Sequence, residues 1–303
     1  MSFVVIVPTL NAGSLWLKWI EAYKAQSQLP DSILIVDSGS VDETVKESKR
    51  AGFDIRIIKS ADFDHGGTRQ KAVNDFNSYD YAVLLTQDAV LSGEESIANL
   101  LSYFSDAEVA AVCGRQLPRK SAKPIEAHAR IFNYGPESYV RSIGDAKDYG
   151  LKTAFISNSF AAYRISALKE VGGFQDNVIF GEDMYVAAKL LIKGYKVAYA
   201  ADACVCHSHG YSVLQEMKRY FDMGVFHARE PWIRKELGGA EGEGVKFVVS
   251  ELKYLFGHSF LCIPEGIMRS LLRYTGFRLG LMERKLPLRL KRAFAMNKGY
   301  FKQ

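Results

Sequence analysis

Phe3-Val4-Val5-Ile6-Val7-Pro8, followed at once by Thr9-Leu10-Asn11, is the stretch from which the fold can be read outward. The run is short, β-branched and apolar without alternation. That pattern belongs to a strand buried on both faces, as in a parallel sheet. Ser32-Ile33-Leu34-Ile35-Val36-Asp37 repeats it and ends in an acid. Asp54–Lys59 gives a third strand, and Tyr81–Thr86 a fourth that runs into Gln87-Asp88. Helical segments separate them: Leu15–Gln26, one capped by Ser40 with Glu43 at capping-box spacing, and Thr68–Phe76. This alternation predicts an α/β fold with a wound, mainly parallel sheet, right-handed crossovers and helices on both faces. Ligands of such sheets sit beyond the carboxyl ends of the strands. The polar residues at those ends are Thr9, Asn11, Asp37, Ser38, Ser40, Asp42 and Asp88.

Further along, Glu94–Phe104 reads as a helix and Val109–Gly114 as a strand, while 119–152 has no regular pattern. Phe160–Tyr163 is a strand, and the helix Ile165–Val171 stops at Gly172-Gly173. Gly181-Glu182-Asp183 opens a helix over Met184–Lys193. Tyr195–Ala200 is a strand and Ala203–His209 an extended segment. After about Tyr211 the pattern turns helical and basic. The expected division is a sheet domain over 1–215 and a helical basic extension over 216–303.

Charge separates these two parts. The whole chain of 303 residues carries a formal net charge of +5. Residues 246–303 hold twelve Lys and Arg against Glu251, Glu265 and Glu283, so the remainder is net acidic. Met268, Leu272, Thr275, Leu279, Met282 and Leu286 recur at helical spacing, with Arg269, Arg273 and Arg284 off that stripe and Pro287 ending it. Such a stripe can pack on the body. With the neighbouring arginines and Leu288-Arg289-Leu290-Lys291-Arg292, it also suits a helix lying at a lipid boundary.

Composition excludes other classes. Apolar residues make up 48%, enough to order a globular chain. The longest uncharged run, Met1–Leu17, is broken by Pro8, Thr9, Asn11 and Gly13, which argues against a spanning helix or a secretory leader. Four cysteines make no disulfide framework. A cytosolic chain is the expectation. Pro8-Thr9-Leu10-Asn11-Ala12-Gly13 stands where a dinucleotide-binding fold needs Gly-x-Gly-x-x-Gly, which sets a dehydrogenase aside. The acidic body, with no nucleic-acid motif, weighs against nucleic-acid binding.

The motifs carry more together than singly. Val7-Pro8-Thr9-Leu10-Asn11, Val36-Asp37-Ser38-Gly39-Ser40-Val41-Asp42, Leu85-Thr86-Gln87-Asp88-Ala89, Val171-Gly172-Gly173-Phe174 and Gly181-Glu182-Asp183 follow one another, with His207 beyond. In this order they resemble the family-2, inverting, GT-A-fold glycosyltransferases over roughly residues 3–210. Phe63-Asp64-His65-Gly66-Gly67-Thr68-Arg69, Thr86-Gln87-Asp88-Ala89 and Val205-Cys206-His207-Ser208-His209 resemble its rhamnosyltransferase branch, which builds bacterial O-antigen and other polysaccharides.

The resemblance implies roles. Asp37 reads the nucleotide base, with Thr9 and Asn11 beside it; read on its own chemistry, Asp37 could instead cap a helix, for which Ser40 is better suited. Asp88, next to Gln87, takes the place of the second acid of an Asp-x-Asp pair and, with His207, holds Mg or Mn against the donor diphosphate. His207 and His209 face one side of an extended segment and Cys204 and Cys206 the other, which argues against a zinc site. Asp183 is the base for the acceptor hydroxyl. Its place at a helix N-terminus predicts a depressed pKa. The glycines at 66 and 67 allow close backbone approach, and Arg69 either pairs with the diphosphate or is a surface residue of a tight turn. Asn158 and Arg164 fall where the family lines its sugar pocket. The implied reaction moves L-rhamnose from dTDP-rhamnose to a polyprenyl-diphosphate-linked glycan. The enzyme would lie peripherally on the cytoplasmic face of the inner membrane. A UDP-hexose donor, or a non-catalytic nucleotide-sugar or glycan-binding module, are the alternatives.

Overall fold

The computed structural model describes residues 1–239 and 242–301; Lys302, counted in the basic segment, lies outside them. Among these residues the strands are β1 (Phe3–Thr9), β2 (Ser32–Asp37), β3 (Asp54–Ile57), β4 (Tyr81–Leu85), β5 (Val90–Leu91), β6 (Val109–Leu117), β7 (Tyr139–Arg141), β8 (Phe160–Arg164) and β9 (Lys196–Cys206). The helices are α1 (Leu15–Lys24), α2 (Thr44–Arg50), α3 (His65–Asn74), α4 (Ser96–Ser102), α5 (Pro124–Asn133), α6 (Ala146–Tyr149), α7 (Ile165–Glu170), α8 (Glu182–Ile192), α9 (Val213–Arg229), α10 (Pro231–Leu237), α11 (Glu243–His258), α12 (Ile263–Leu281) and α13 (Leu288–Phe294).

The strands join in one sheet in the order β3-β2-β1-β4-β8-β6-β9-β5, with β7 pairing β9 from off that path. β3 to β4 run parallel, as the apolar runs predicted. β8 is antiparallel to both β4 and β6, and β6 and β9 are again parallel. β1 shows why its run must be apolar throughout. Val4 and Ile6 enter one core layer, and Phe3, Val5 and Val7 enter the other. Burying each such side chain contributes about 1.5–3 kcal/mol, so one polar residue here would unseat a layer. α1 covers the second layer with Trp16 and Trp19, stacked at 4.7 Å between ring centroids. α8 covers the first with Val186, Leu190 and Leu191.

The topology gathers several strand ends. Leu85 at the end of β4 pairs Phe160 at the start of β8, and the Thr86 N–H donates to the Ser159 carbonyl at 3.2 Å. Leu117, ending β6, pairs Cys206, ending β9. The loops bearing Asp88, Asn158 and His207 therefore meet at one edge of the sheet.

Several local expectations are corrected. α2 begins at Thr44, so Ser40 is not its cap; that hydroxyl donates to Asp37 instead. α3 begins at His65, capped by Asp64, which accepts from the Gly67 N–H. His65 is thus a helical residue and not part of a turn. Gly66 and Gly67 do allow close approach, but to the chain itself: a Cβ at Gly66 would lie 2.0 Å from the Gln175 carbonyl oxygen. Residues 195–209, read as two pieces, contain the single strand β9, which carries a register shift against β6 beside Gly114. The patternless 119–152 holds α5, opened by Pro124 at its first turn, and the edge strand β7.

The largest correction is α12. Its inward face is Gly266, Arg269, Arg273, Gly276 and Gly280, and the apolar Ile267, Met268, Leu271 and Tyr274 face out. α12 packs along α9 so closely that a Cβ at Gly280 would lie 2.1 Å from the Phe221 carbonyl oxygen. Only glycine permits that approach. The buried arginines are paired: Arg269 and Arg273 reach Glu216 of α9 at 3.1 and 3.0 Å, and Arg273 reaches Glu251 of α11 at 3.3 Å. No helix among the described residues is long and apolar enough to cross a membrane.

Candidate active site

Two groups of the expected residues occupy two places. The first is a lock between loops. β1 pairs β2 with Thr9 beside Asp37. The Asp37 carboxylate is 1% exposed and accepts four hydrogen bonds. Oδ1 takes the N–H of Gly39 and Ser40 at 3.0 and 2.8 Å, and Oδ2 takes the hydroxyls of Thr9 and Ser40 at 2.9 and 2.6 Å. Asn11, at φ 48°, accepts from the Val41 N–H and donates its own N–H to the Ser40 hydroxyl. The Gln87 amide exchanges two hydrogen bonds with the Leu10 backbone, at 2.7 and 3.0 Å. Thr9, Asn11, Asp37 and Gln87 thus hold the ends of β1, β2 and β4 together.

The second place is a cavity of about 480 Å³. Asp88, His207, Asp183 and Arg69, all expected, line it, as does Asn158. Arg164 lies elsewhere: it is tied to Tyr81 and to the carbonyls of Phe104, Asp106 and Val109. A larger cleft, of about 1140 Å³, adjoins the cavity through Phe63, Asp64 and Asn297. It reaches Val36, Arg56 and Lys59 at the ends of β2 and β3.

Asp88, His207 and His209 form a trio whose ligand atoms lie within 4.8 Å of one another. His207 Nε2 is 3.2 Å and His209 Nδ1 is 3.7 Å from Asp88 Oδ2. The surroundings fix which nitrogen of His207 carries the proton. Gln116 Oε1 accepts from Arg130 Nη1 at 2.7 Å, and its amide nitrogen donates to Ser157 Oγ at 3.0 Å. Arginine only donates, so the atom facing it is the amide oxygen. That oxygen lies 2.8 Å from His207 Nδ1, which must therefore be the N–H donor. Neutral His207 then points its Nε2 lone pair at a carboxylate oxygen. Two acceptors that close repel unless a proton or cation lies between them. Burial holds the His207 pKa below its ordinary value. Burial and then the neighbouring His207 push that of His209 down to about 3. The proton is disfavoured and a cation fits. Orientation of a ligating histidine by an outer hydrogen bond is how metal centres are commonly built.

Asp183 also lines this cavity. It sits in the first turn of α8, after Gly181 in the left-handed region. Its carboxylate accepts from the N–H of Met184 at 2.8 Å and of Asn158 at 3.3 Å. Glu182 is the buried partner of Arg69, at 3.1 Å, and also accepts from the Asn158 amide at 3.1 Å. Tyr163 donates to the Asn158 amide oxygen at 2.7 Å. Arg69 is therefore a buried ion-pair residue, not a surface residue of a turn. Burial and then the negative charge of Glu182 push Asp183 up to about 7, opposite to the depressed value expected from its helix position. Burial pushes Glu182 up, but Arg69, His65 and the Asn158 hydrogen bond together hold Glu182 below the ordinary value. With Glu182 alone paired to Arg69, the two adjacent buried carboxylates cannot both ionise freely.

Sequence reasoning missed several contributors. Gln116 and Arg130 act through His207 and lie far from it in sequence. Arg119 donates to the Asp88 carbonyl at 2.5 Å. Arg219 of α9 lines the cavity stacked over Phe180, 4.9 Å from the ring centroid. Asp222, also in α9, accepts from the N–H of Met296 and Asn297 and so folds the end of the chain into the cavity wall. Burial pushes Asp222 up to about 7. Arg69 Nε, Thr86 Oγ1 and Arg119 Nε are buried without a partner, the pattern of a site shaped for a polar ligand.

Comparison with known proteins gives the family and the fold. Residues 4–172 match the glycosyl transferase family 2. The chain is 48% identical to the O-antigen chain rhamnosyltransferase RfbN of Salmonella typhimurium, over 99% of this chain and 96% of that one. It is 45% identical to the O-antigen chain rhamnosyltransferase WbaN of Salmonella anatum, with the same coverage. Among solved structures, it resembles the mannosyltransferase PcManGT of Pyrobaculum calidifontis, in complex with GDP-Man and Mn2+. The TM-score is 0.58 at 18% identity, over 99% of this chain and 84% of that one. Staphylococcus aureus TarS follows at TM-score 0.54 and 15% identity, over 98% and 84%. These structural likenesses establish the GT-A-like fold.

Proposed function

Since the chain belongs to glycosyl transferase family 2, we propose that it is an O-antigen chain rhamnosyltransferase moving L-rhamnose from dTDP-rhamnose, with inversion, to a lipid-linked glycan. The observation that carries the chemistry is that Asp183 and the Asp88–His207–His209 trio line one cavity.

In this reading, Asp183 accepts the proton of the acceptor hydroxyl as that oxygen bonds to the anomeric carbon. The bond from that carbon to the diphosphate breaks on the opposite face, and its electron pair leaves with the diphosphate. A carboxyl titrating near 7 is poised for this, because a substantial share of it is ionised at neutral pH and it is still basic enough to hold the proton. Glu182, kept charged by Arg69, maintains that basicity. Asn158 ties the two acids together.

Asp88, His207 and His209 would hold a divalent cation, whose positive charge would offset that growing on the departing diphosphate. One carboxylate and two imidazoles favour Mn over Mg, since Mg prefers oxygen alone. Arg69, through its unpartnered Nε, would add a donor towards the nucleotide-sugar. The cleft over β2 and β3 would take the nucleotide. Asp37 would receive the base imide by giving up the Ser40 hydroxyl, and Thr9, Asn11 and Gln87 would hold the loops that frame it. We place the transferase unit at 1–215 and the basic extension at 216–303, although α9 crosses that boundary and lends Arg219 and Asp222 to the cavity. A polyprenyl-diphosphate-linked acceptor would bring the enzyme to the cytoplasmic face of the inner membrane as a peripheral protein.

A donor panel with Mn2+ tests this. Release of dTDP from dTDP-rhamnose, raised by a lipid-linked acceptor, is expected. Turnover with UDP-hexoses alone would reject the donor assignment, and binding of nucleotide sugar with no turnover would reject catalysis.

A further inference from the structure

The outer surface of the C-terminal helices is apolar where it should be polar. With its arginines turned inward, α12 presents Ile267, Met268, Leu271 and Tyr274 to solvent. Val245 and Val249 on α11 are also exposed. The short connection between the two helices is the most apolar point: Phe256 is 77%, Phe260 66% and Leu261 78% exposed. Large apolar side chains concentrated this way mark a binding surface, because a soluble chain gains nothing from exposing them.

The charges of residues 246–303 point to the partner, with Lys253 on α11 beside the turn and the others further along α12 or past its end. Two of the three acids in 246–303, Glu251 and Glu283, are buried and paired inward, Glu251 with Arg273 and Glu283 with Arg229 and Lys291. The third, Glu265, is partly exposed and bonded to Arg269. Burial therefore removes negative charge from the surface of this segment. Lys253, Arg278, Arg284, Lys285 and Arg289 remain exposed, and among the described residues none of them has a carboxylate partner. Exposed apolar groups together with unpaired cations complement a layer of anionic headgroups over hydrocarbon.

We propose that the α11–α12 hairpin is the membrane-docking element, with Phe256, Phe260 and Leu261 entering the acyl boundary of an anionic phospholipid bilayer and the exposed cations meeting its headgroups. This deepens the reading of a lipid-linked acceptor and rests on it for its purpose. It moves the lipid contact from the Met268–Leu286 stripe of the sequence to the hairpin turn and the outward residues of α11 and α12, because Arg269 and Arg273 are not available to lipid.

The test is co-sedimentation of the full chain with phosphatidylcholine vesicles, with and without about 30% phosphatidylglycerol as the anionic lipid. Binding to the phosphatidylglycerol vesicles, weakened by salt, is expected. It should fall at least about tenfold in the F256E/F260E/L261E variant, whose exposed sites leave the fold and the Mn2+ affinity unchanged. In a separate Phe260→Trp variant the emission should shift to the blue on adding those vesicles. Wild-type protein left in the supernatant, equal binding by the triple variant, or a dimer that the triple variant dissolves would each overturn the proposal. dTDP release with a short-chain soluble acceptor is the control. If it persists while vesicle binding fails, docking is wrong and the transferase reading stands; if it is absent from the wild type, the transferase reading itself fails.

Discussion

Two clusters of buried charge in this molecule are built in opposite ways. Between α9, α11 and α12, Glu216 and Glu251 meet Arg269 and Arg273, and each buried acid has a guanidinium within 3.3 Å. At the start of α8, Glu182 pairs with the guanidinium of Arg69, and among the described residues the adjacent Asp183 has no ion-pair partner. The first cluster pairs its two buried acids with two guanidiniums, with the part-exposed Glu265 joining Arg269 from the rim, although burial still raises Glu251 above its ordinary value. The second is short of one positive charge, and the shortfall falls on Asp183. Burial of charge alone therefore does not mark a reactive site; an imbalance that opens into a cavity does.

The largest effect should come from removing the unbalanced acid. Asp183→Asn should lower kcat by about a thousandfold or more while leaving Mn2+ and donor affinity near wild type, as measured by steady-state kinetics and calorimetry. The same substitution should raise stability at high pH. Because folding raises the Asp183 pKa, the stability its protonated form contributes below about pH 4 is lost as the pH climbs through about 7. The variant lacks that loss, so its Tm at pH 8 should exceed the wild type's, and the two should converge near pH 4. An equal Tm at both pH values would show that Asp183 is not strained in the folded state.

Breaking the balanced cluster should do the reverse. Arg273→Met leaves Glu251 without a cationic partner and Glu216 with Arg269 alone, and should cost about 3–5 kcal/mol in denaturant unfolding. kcat per folded molecule should hardly change. A large fall in kcat without loss of stability would erase the contrast between the clusters. A smaller effect is expected at Gln116. Gln116→Leu removes the acceptor that fixes the His207 tautomer, and Mn2+ affinity measured by electron paramagnetic resonance should drop about 10–100-fold. Gln116→Glu keeps an acceptor and should retain most of the affinity.

How much of this could be read beforehand follows from the same contrast. β1, β2 and β4 were legible because residues buried on both faces must be apolar in an unbroken run. Asp88 was legible at the end of a strand, whereas His207 and Asp183 were legible only through the motif order that resembles the family-2 glycosyltransferases. Asp37 was seen, but the loop bonds that satisfy it were not, since they depend on where Ser40 points. The pKa direction of Asp183 was read from its helix position alone, whereas burial and the adjacent Glu182 are stronger. α12 was misread because arginine and glycine at helical spacing look like a solvated face until Glu216 and Glu251, on other helices, are known to meet them. Gln116 and Arg130 had no local signal. Their role exists only once β6 and β9 lie side by side.

Catalysis in this reading rests on Asp183 being a base whose proton affinity is raised by burial and by the adjacent charge of Glu182. The direct test is the pH profile of kcat/KM for the wild type beside Glu182→Gln. The wild type should lose activity on the acid side with an apparent pKa near 7, and the Gln variant, relieved of the second charge, should carry that limb lower by about one pH unit. A wild-type profile flat down to pH 5, or a limb that Glu182→Gln leaves in place, would contradict it.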